Sequence, residues 1–254
     1  FDPHPVRFFK PDLPPFRLTS LDQRQRLFAD AGASAMLVFE FNAGLAGTTA
    51  EDFVTKLLVD RFGAAGVVTG ADFTFGKGAQ GNIDLLREVG AVHGLKSAAV
   101  SPISDSDDVI SSSRIRAALK DGHCEEANRL LTRPFAIRGE VIHGDKNGRL
   151  LGYPTANIDI GQYLRPKYGI YAVKGRLADG RVLNGAASLG VRPMFDPPKE
   201  LLEPYFFDFS EHLYGQTIEV ELHHFLRGEQ RFDDLEALKV QMEKDCDRAR
   251  ALLG

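Results

Sequence analysis

Two periodicities of apolar residues divide this chain. Up to about residue 120, short continuous apolar runs alternate with helical stripes. Ala35-Met36-Leu37-Val38-Phe39, Gly66-Val67-Val68 and Ala98-Ala99-Val100 read as buried parallel strands. Between the first two, Thr49 stands where a helix cap is needed, with Glu51 and Asp52 in the first turn. Phe53, Leu57, Leu58 and Phe62 then recur at helical spacing until Gly63. Strand, helix and strand in alternation predict a parallel sheet whose ligand site lies at the carboxyl ends of the strands.

From Phe135 the period shortens to two. Ile218, Val220 and Leu222 alternate with Thr217, Glu219 and Glu221, and Asp179-Gly180 separates two extended runs as a tight hairpin turn would. This half predicts an antiparallel, Greek-key-like β-barrel. His223 and His224, neighbours on a predicted strand, should point to opposite faces. Leu235, Leu238, Met242, Cys246, Ala249 and Leu252 then form a stripe at intervals of three and four, which predicts a final amphipathic helix whose apolar face is core against the barrel. The polar stretch from Asp121 to Arg133, partly helical and ending before Pro134, marks the boundary. The expected domains are 1–130, α/β, and 131–254, all-β with the terminal helix.

Composition narrows the function classes without choosing among them. At 254 residues the chain is long enough for two modest cores, and 43% hydrophobic with 26% charged residues is the make-up of a globular protein. No apolar run is long enough to span a bilayer. A net charge of -4 with no basic run argues against a nucleic-acid partner. The two cysteines, Cys124 and Cys246, make neither a disulfide framework nor a zinc-binding pair, and the seven histidines have no ligand spacing, so a reducing cytoplasm is expected. A homo-oligomer is compatible with all of this.

Candidate chemistry concentrates between residues 144 and 157. Gly144, Gly148 and Gly152 let the backbone approach a ligand closely, so that successive N–H groups can converge on phosphate oxygens, and Lys146 and Arg149 add positive charge. Pro154 stiffens the exit, and Thr155 and Asn157, one residue apart in an extended segment, share a face where a hydroxyl and an amide carbonyl could ligate Mg2+. Asn147 after Lys146 rules out a Walker A loop, which needs Ser or Thr there. On composition alone a glycine-rich hairpin explains the same segment equally well.

The segment resembles the signature of riboflavin kinases, whose Gly-rich loop holds ATP phosphates and whose Pro-Thr-Ala-Asn tetrapeptide supplies magnesium ligands. Tyr168-Gly169-Ile170-Tyr171, Gly190-Val191-Arg192-Pro193, Leu202-Glu203, Leu213-Tyr214-Gly215 and Phe225-Leu226-Arg227 look like later blocks of that family, in order. Phe1-Asp2-Pro3-His4-Pro5, the stretch Gly70 to Gly76 and Ile110 to Arg116 resemble the FMN adenylyltransferase module of bacterial bifunctional FAD synthetases, so the resemblance covers nearly the whole chain. It implies ATP, Mg2+ and the flavins riboflavin, FMN and FAD as cofactor, substrates and products. It also implies Glu203 as general base, with Pro204 holding it extended, and a flavin slot near Met194-Phe195 and the final helix.

In the first half the resemblance implies nucleotide or flavin contacts by His4, Asp72, Phe73, Ser111, Ser112, Arg114 and Arg116. A Ser-capped helix and a strand-to-loop turn ended by Gly76 are the plain structural readings of these segments. Where Thr74 stands, the family often has Arg. The family's His-x-Gly-His motif is absent from this sequence, so the expected start is incomplete and the first active site partial. A non-catalytic flavin-binding module, or an adenylyltransferase with a scaffold barrel, are the alternatives.

Overall fold

The computed structural model describes residues 1–106, 108–143, 152–192 and 199–254. Gly144, Lys146, Gly148 and Arg149, and the Met194-Phe195 pair, lie outside the described residues. The chain forms two compact units. One comprises residues 1–13 and 37–110, and the other residues 14–36 and 111–254.

The first unit is built on one strand-helix-strand crossover. β1 (Gly66–Gly70) pairs in parallel with β2 (Lys96–Val100), Val68 opposite Ala98. The helix Ile83–Val92 connects them, capped by the Asn82 side chain on the N–H groups of Asp84 and Leu85. The core gathers Ala50, Val54, Phe75, Leu86 and Leu95. Thr49 caps the chain's turn into the helical stretch as expected, its hydroxyl accepting from the Asp52 N–H at 3.1 Å. After one α-turn, however, Phe53–Arg61 widens into a π-helix, and Val54, not Phe62, becomes its fully buried residue.

The run 35–39 is not a strand, which corrects the sequence expectation. Among the described residues the only strand pairing beside it is an isolated parallel bridge between Asp2 and Glu40; Phe39 packs on the Phe1 and Phe62 rings, and Leu37 is 65% exposed. An apolar run takes strand geometry when a ladder of partners satisfies its backbone, and here the ladder is one bridge long.

The second unit is a closed barrel. β3 (Phe135–Ile142), β4 (Asn157–Asp159), β5 (Gly169–Arg176), β6 (Val182–Arg192), β7 (Lys199–Phe206) and β8 (Thr217–Gly228) close in the order β3-β4-β7-β6-β5-β8. β5, β6 and β7 form a meander, and β8 returns between β5 and β3, so all barrel pairings are antiparallel. Gly180 makes the β5–β6 turn at φ 90°. Gly175 is required by packing, because a Cβ there would sit 2.3 Å from the Phe206 ring. Phe135, Ile137, Ile158, Val173, Leu202 and Val220 fill the interior, and the alternation over 217–222 holds.

Two helices, Ser112–Asp121 and Cys124–Leu131, precede the barrel. His223 and His224 depart from the alternation expected of neighbours on a strand. Ala172 pairs with His224 but Val173 with Leu222, so His223 is an extra, bulged residue, and the two rings lie 6.5 Å apart instead of pointing away from each other.

The final helix, Leu235–Leu253, covers the outer face of β5, β6 and β8. Arg227 on β8 grips both carboxylate oxygens of the buried Asp245, at 2.7 to 3.0 Å, and Arg250 lies over the Phe207 ring at 3.9 Å. Ala249 and Leu253 pack against Ala172, Ala186 and Leu226. The buried stripe is therefore rotated from the expected one. Leu235 and Leu252 are exposed, and Asp245 and Leu253 take the inner face.

Candidate active site

Strand register places the kinase candidates on one wall. β4 and β7 set Ile158 opposite Leu202, and the Ala156 N–H donates to the Pro204 carbonyl at 2.9 Å, continuing that register beyond β4. Asn157 thus stands opposite Glu203, and Thr155 opposite Tyr205. Opposed residues share a face. Ala156, Ile158, Leu202 and Pro204 turn inward, so Thr155, Asn157, Glu203 and Tyr205 take the outer face of the barrel. On the other side of β7, Ser188 lies opposite Glu203 and Ala186 opposite Tyr205. Pro204 removes a donor from this ladder and is tolerated because its carbonyl makes the remaining bond to Ala156.

Over this wall the final helix leaves a cavity of about 170 Å³. Thr155, Ser188, Glu203 and Tyr205 line it from the barrel, and Leu238, Met242 and Cys246 from the helix. Part of the helix stripe expected to be core thus borders a cavity. Burial pushes the Cys246 thiol up to about 11. A second cavity of about 320 Å³ adjoins Thr155, Pro204, Phe206, Phe209, His212 and Tyr214. Beside it the His143 ring stacks on Tyr214 at a centroid distance of 4.1 Å. Thr155 is common to both cavities.

Glu203 is held by a residue whose role the sequence did not single out. Arg192 Nε donates to Glu203 Oε2 at 2.5 Å and its Nη2 donates to the same oxygen, while Nη2 also donates to Ser188 Oγ at 2.8 Å. The only signal in the sequence was the position of Arg192 in a block resembling the kinase family. Nearby, the Arg165 guanidinium holds the Glu200 carboxyl below the ordinary carboxylate range, and Tyr168 donates to the other Glu200 oxygen. Burial and that carboxylate push Tyr168 up to about 12.

Asn157 is 6% exposed, and its amide makes no hydrogen bond to a described residue. An amide with no hydrogen-bond partner among the described residues suits an oxygen donor for a hard cation. No group of three or more His, Cys, Asp or Glu that could hold a metal occurs among the described residues. A magnesium ion here would therefore depend on Thr155, Asn157 and phosphate oxygens. Those donors fit it.

The candidates in the first half fall in both units. In the first, His4 Nδ1 accepts from the Val6 N–H at the start of a five-residue helix. Asp72 and Phe73 follow the carboxyl end of β1, with Phe73 stacked on Phe75 at 5.6 Å. A Cβ at Gly70 would lie 2.9 Å from Asp72 Oδ1, a contact the exposed Asp72 side chain can relieve by turning. The hydroxyl of Thr69, at the same strand end, is buried without a partner, a feature no sequence pattern revealed. Gly76, at φ 74°, ends the turn against Ala50.

In the second unit, Ser111 Oγ accepts from the Arg114 N–H at 3.2 Å and caps the helix that Ser112 begins. Arg114 donates to Glu126 Oε1 at 3.1 Å, and Arg116 donates to the Phe16 carbonyl at 2.9 Å with its guanidinium over the Phe16 ring.

A family model described as riboflavin kinase matches residues 131–253, and one described as FAD synthetase matches residues 1–114. The bifunctional riboflavin kinase/FMN adenylyltransferase of Escherichia coli K12 is 36% identical over 254 residues, covering 100% of this chain and 81% of that protein. Its counterpart from Haemophilus influenzae is 37% identical, covering 100% of this chain and 82% of that protein.

The chain belongs to the bifunctional riboflavin kinase/FMN adenylyltransferase family. A crystal structure described as a macrolide-efflux protein from Streptococcus pneumoniae matches with a TM-score of 0.82 at 30% identity, over 92% of this chain and 76% of that one. No described helix is long and apolar enough to cross a membrane.

Proposed function

We infer that this member of the family phosphorylates riboflavin to FMN in the barrel domain and adenylylates FMN to FAD through its α/β module, with ATP as the donor in both steps. The functional division falls between residues 130 and 131. The observation that carries the kinase assignment is the register that puts Glu203 and Thr155 on one cavity wall with Asn157 on the same face. The cavity under the final helix takes the flavin, and the one bordered by Tyr214 and Thr155 takes the nucleotide. Thr155, shared by both, stands where the phosphoryl group passes.

Glu203 accepts the proton of the riboflavin 5′-hydroxyl as its oxygen bonds the γ-phosphorus and the bridging P–O bond breaks. Thr155 and Asn157 would hold a magnesium ion. When bound, that ion neutralises charge on the transferring phosphoryl. His4, Asp72, Phe73, Ser111, Ser112, Arg114 and Arg116 are assigned to the adenylyltransferase site, and Gly144, Lys146, Gly148, Arg149 and Gly152 to the ATP phosphates of the kinase. Two free cysteines support a reducing, cytoplasmic setting.

The test supplies riboflavin, ATP and Mg2+ and separates FMN from FAD. Glu203→Gln is expected to lower FMN turnover by about 10²–10⁴ while ATP binding persists, the usual cost of losing a general base. A variant making FMN at nearly the normal rate would remove Glu203 from the mechanism. Flavin binding without any product would favour a binding module.

A further inference from the structure

We propose that Arg192 is the positioning residue for the Glu203 carboxylate in riboflavin phosphorylation. This rests on the assignment of Glu203 as proton acceptor. Arg192 ends β6, and its side chain reaches Glu203 in the middle of β7. The guanidinium is anchored on several sides, by two donors to Glu203 Oε2, by Ser188 Oγ at 2.8 Å and by Glu229 Oε1 3.9 Å from Nη1. The side chains of Arg192 and Glu203 are 22% and 19% exposed. Their mutual geometry is therefore shielded enough from solvent to matter.

Two other arginine–carboxylate pairs in the same unit are held differently. Arg227 engages both oxygens of Asp245, the arrangement that favours stability. Arg165 engages Oε2 of Glu200, and Tyr168 occupies Oε1. At Glu203 both donors of Arg192 fall on Oε2, and Oε1 makes no hydrogen bond to a described residue. One oxygen is pinned and the other is left open at a cavity wall.

That asymmetry suits the chemistry. The 5′-hydroxyl oxygen forms its bond to the γ-phosphorus, the bridging P–O bond to ADP breaks, and the hydroxyl proton passes to Oε1. In a loose phosphoryl-transfer transition state that proton leaves late, so the acceptor's placement counts for more than its basicity. A guanidinium fork fixes the carboxylate plane in a way that a lysine ammonium does not.

The test measures initial rates of FMN formation by the full chain carrying R192Q, R192K, E203Q or E203Q with R192Q. R192Q is expected to lower kcat by about 10²-fold, the order lost on misplacing a reacting group. KM for riboflavin and ATP should stay near that of the unmodified protein, and R192K should recover part of the loss. In the E203Q background R192Q should add nothing further, because Arg192 acts through Glu203.

Unchanged kcat in folded R192Q, a rise in KM alone, or an equal further loss in the E203Q background would each overturn the proposal. Near-normal turnover by E203Q would instead refute the base assignment on which it rests. Should R192Q not fold, S188A and R192K carry the test: S188A removes one anchor, and kcat unchanged in both variants counts against the proposal.

Discussion

At the residue scale, the candidate site depends on donors that a search for charged clusters would miss. Thr155 and Asn157 are neutral, and they are made neighbours of Glu203 by the Ala156–Pro204 hydrogen bond. If both hold one metal ion, Thr155→Ala and Asn157→Ala should each impair use of Mg·ATP, and the double substitution should cost less than the sum of the two. Single-turnover rates across a magnesium titration measure this. Full additivity would mean that they do not share an ion. Thr155, Asn157 and Glu203 were legible in the sequence as parts of recognisable blocks. Arg192 stood in such a block too, but its role was not legible, because nothing in a linear sequence says that the end of β6 folds back onto the middle of β7.

At the scale of elements, the final helix closes the cavity and is itself held by a buried ion pair. Asp245→Ala leaves Arg227 without its partner, and breaking such a pair costs about 3 kcal/mol or more. Chemical denaturation should show that loss, with weaker riboflavin binding alongside it. A change within a few tenths of a kcal/mol would show that packing alone docks the helix. Cys246 offers a probe of the cavity. Its thiol is pushed up to about 11, so the reactive thiolate is scarce at pH 8 and alkylation should accelerate as pH rises toward that value. Riboflavin should slow labelling at any fixed pH, and the fully buried Cys124 should label only on unfolding. Intact mass after timed labelling reads both sites. Labelling of Cys246 indifferent to riboflavin would exclude the flavin from this cavity.

At the scale of the whole molecule, the two sets of candidate residues predict separable activities. Glu203→Gln should cut FMN formation from riboflavin yet leave FAD formation from supplied FMN at its original rate, since none of the adenylyltransferase candidates lies on a barrel strand. A parallel loss of FAD formation would show that the two steps are coupled. The sequence by itself determined the change from parallel α/β to antiparallel barrel, the Thr49 cap, the hairpin at Gly180 and the existence of a terminal helix. Each follows from local periodicity, capping or turn chemistry, which act over a few residues. Only the tertiary structure decided that the run 35–39 is not a strand, that a bulge at His223 brings two histidine rings together, and which way the last helix faces. It also decided that Arg192 holds Glu203. These outcomes depend on whether a distant segment supplies backbone partners or a counter-charge, and separation along the chain carries no record of that.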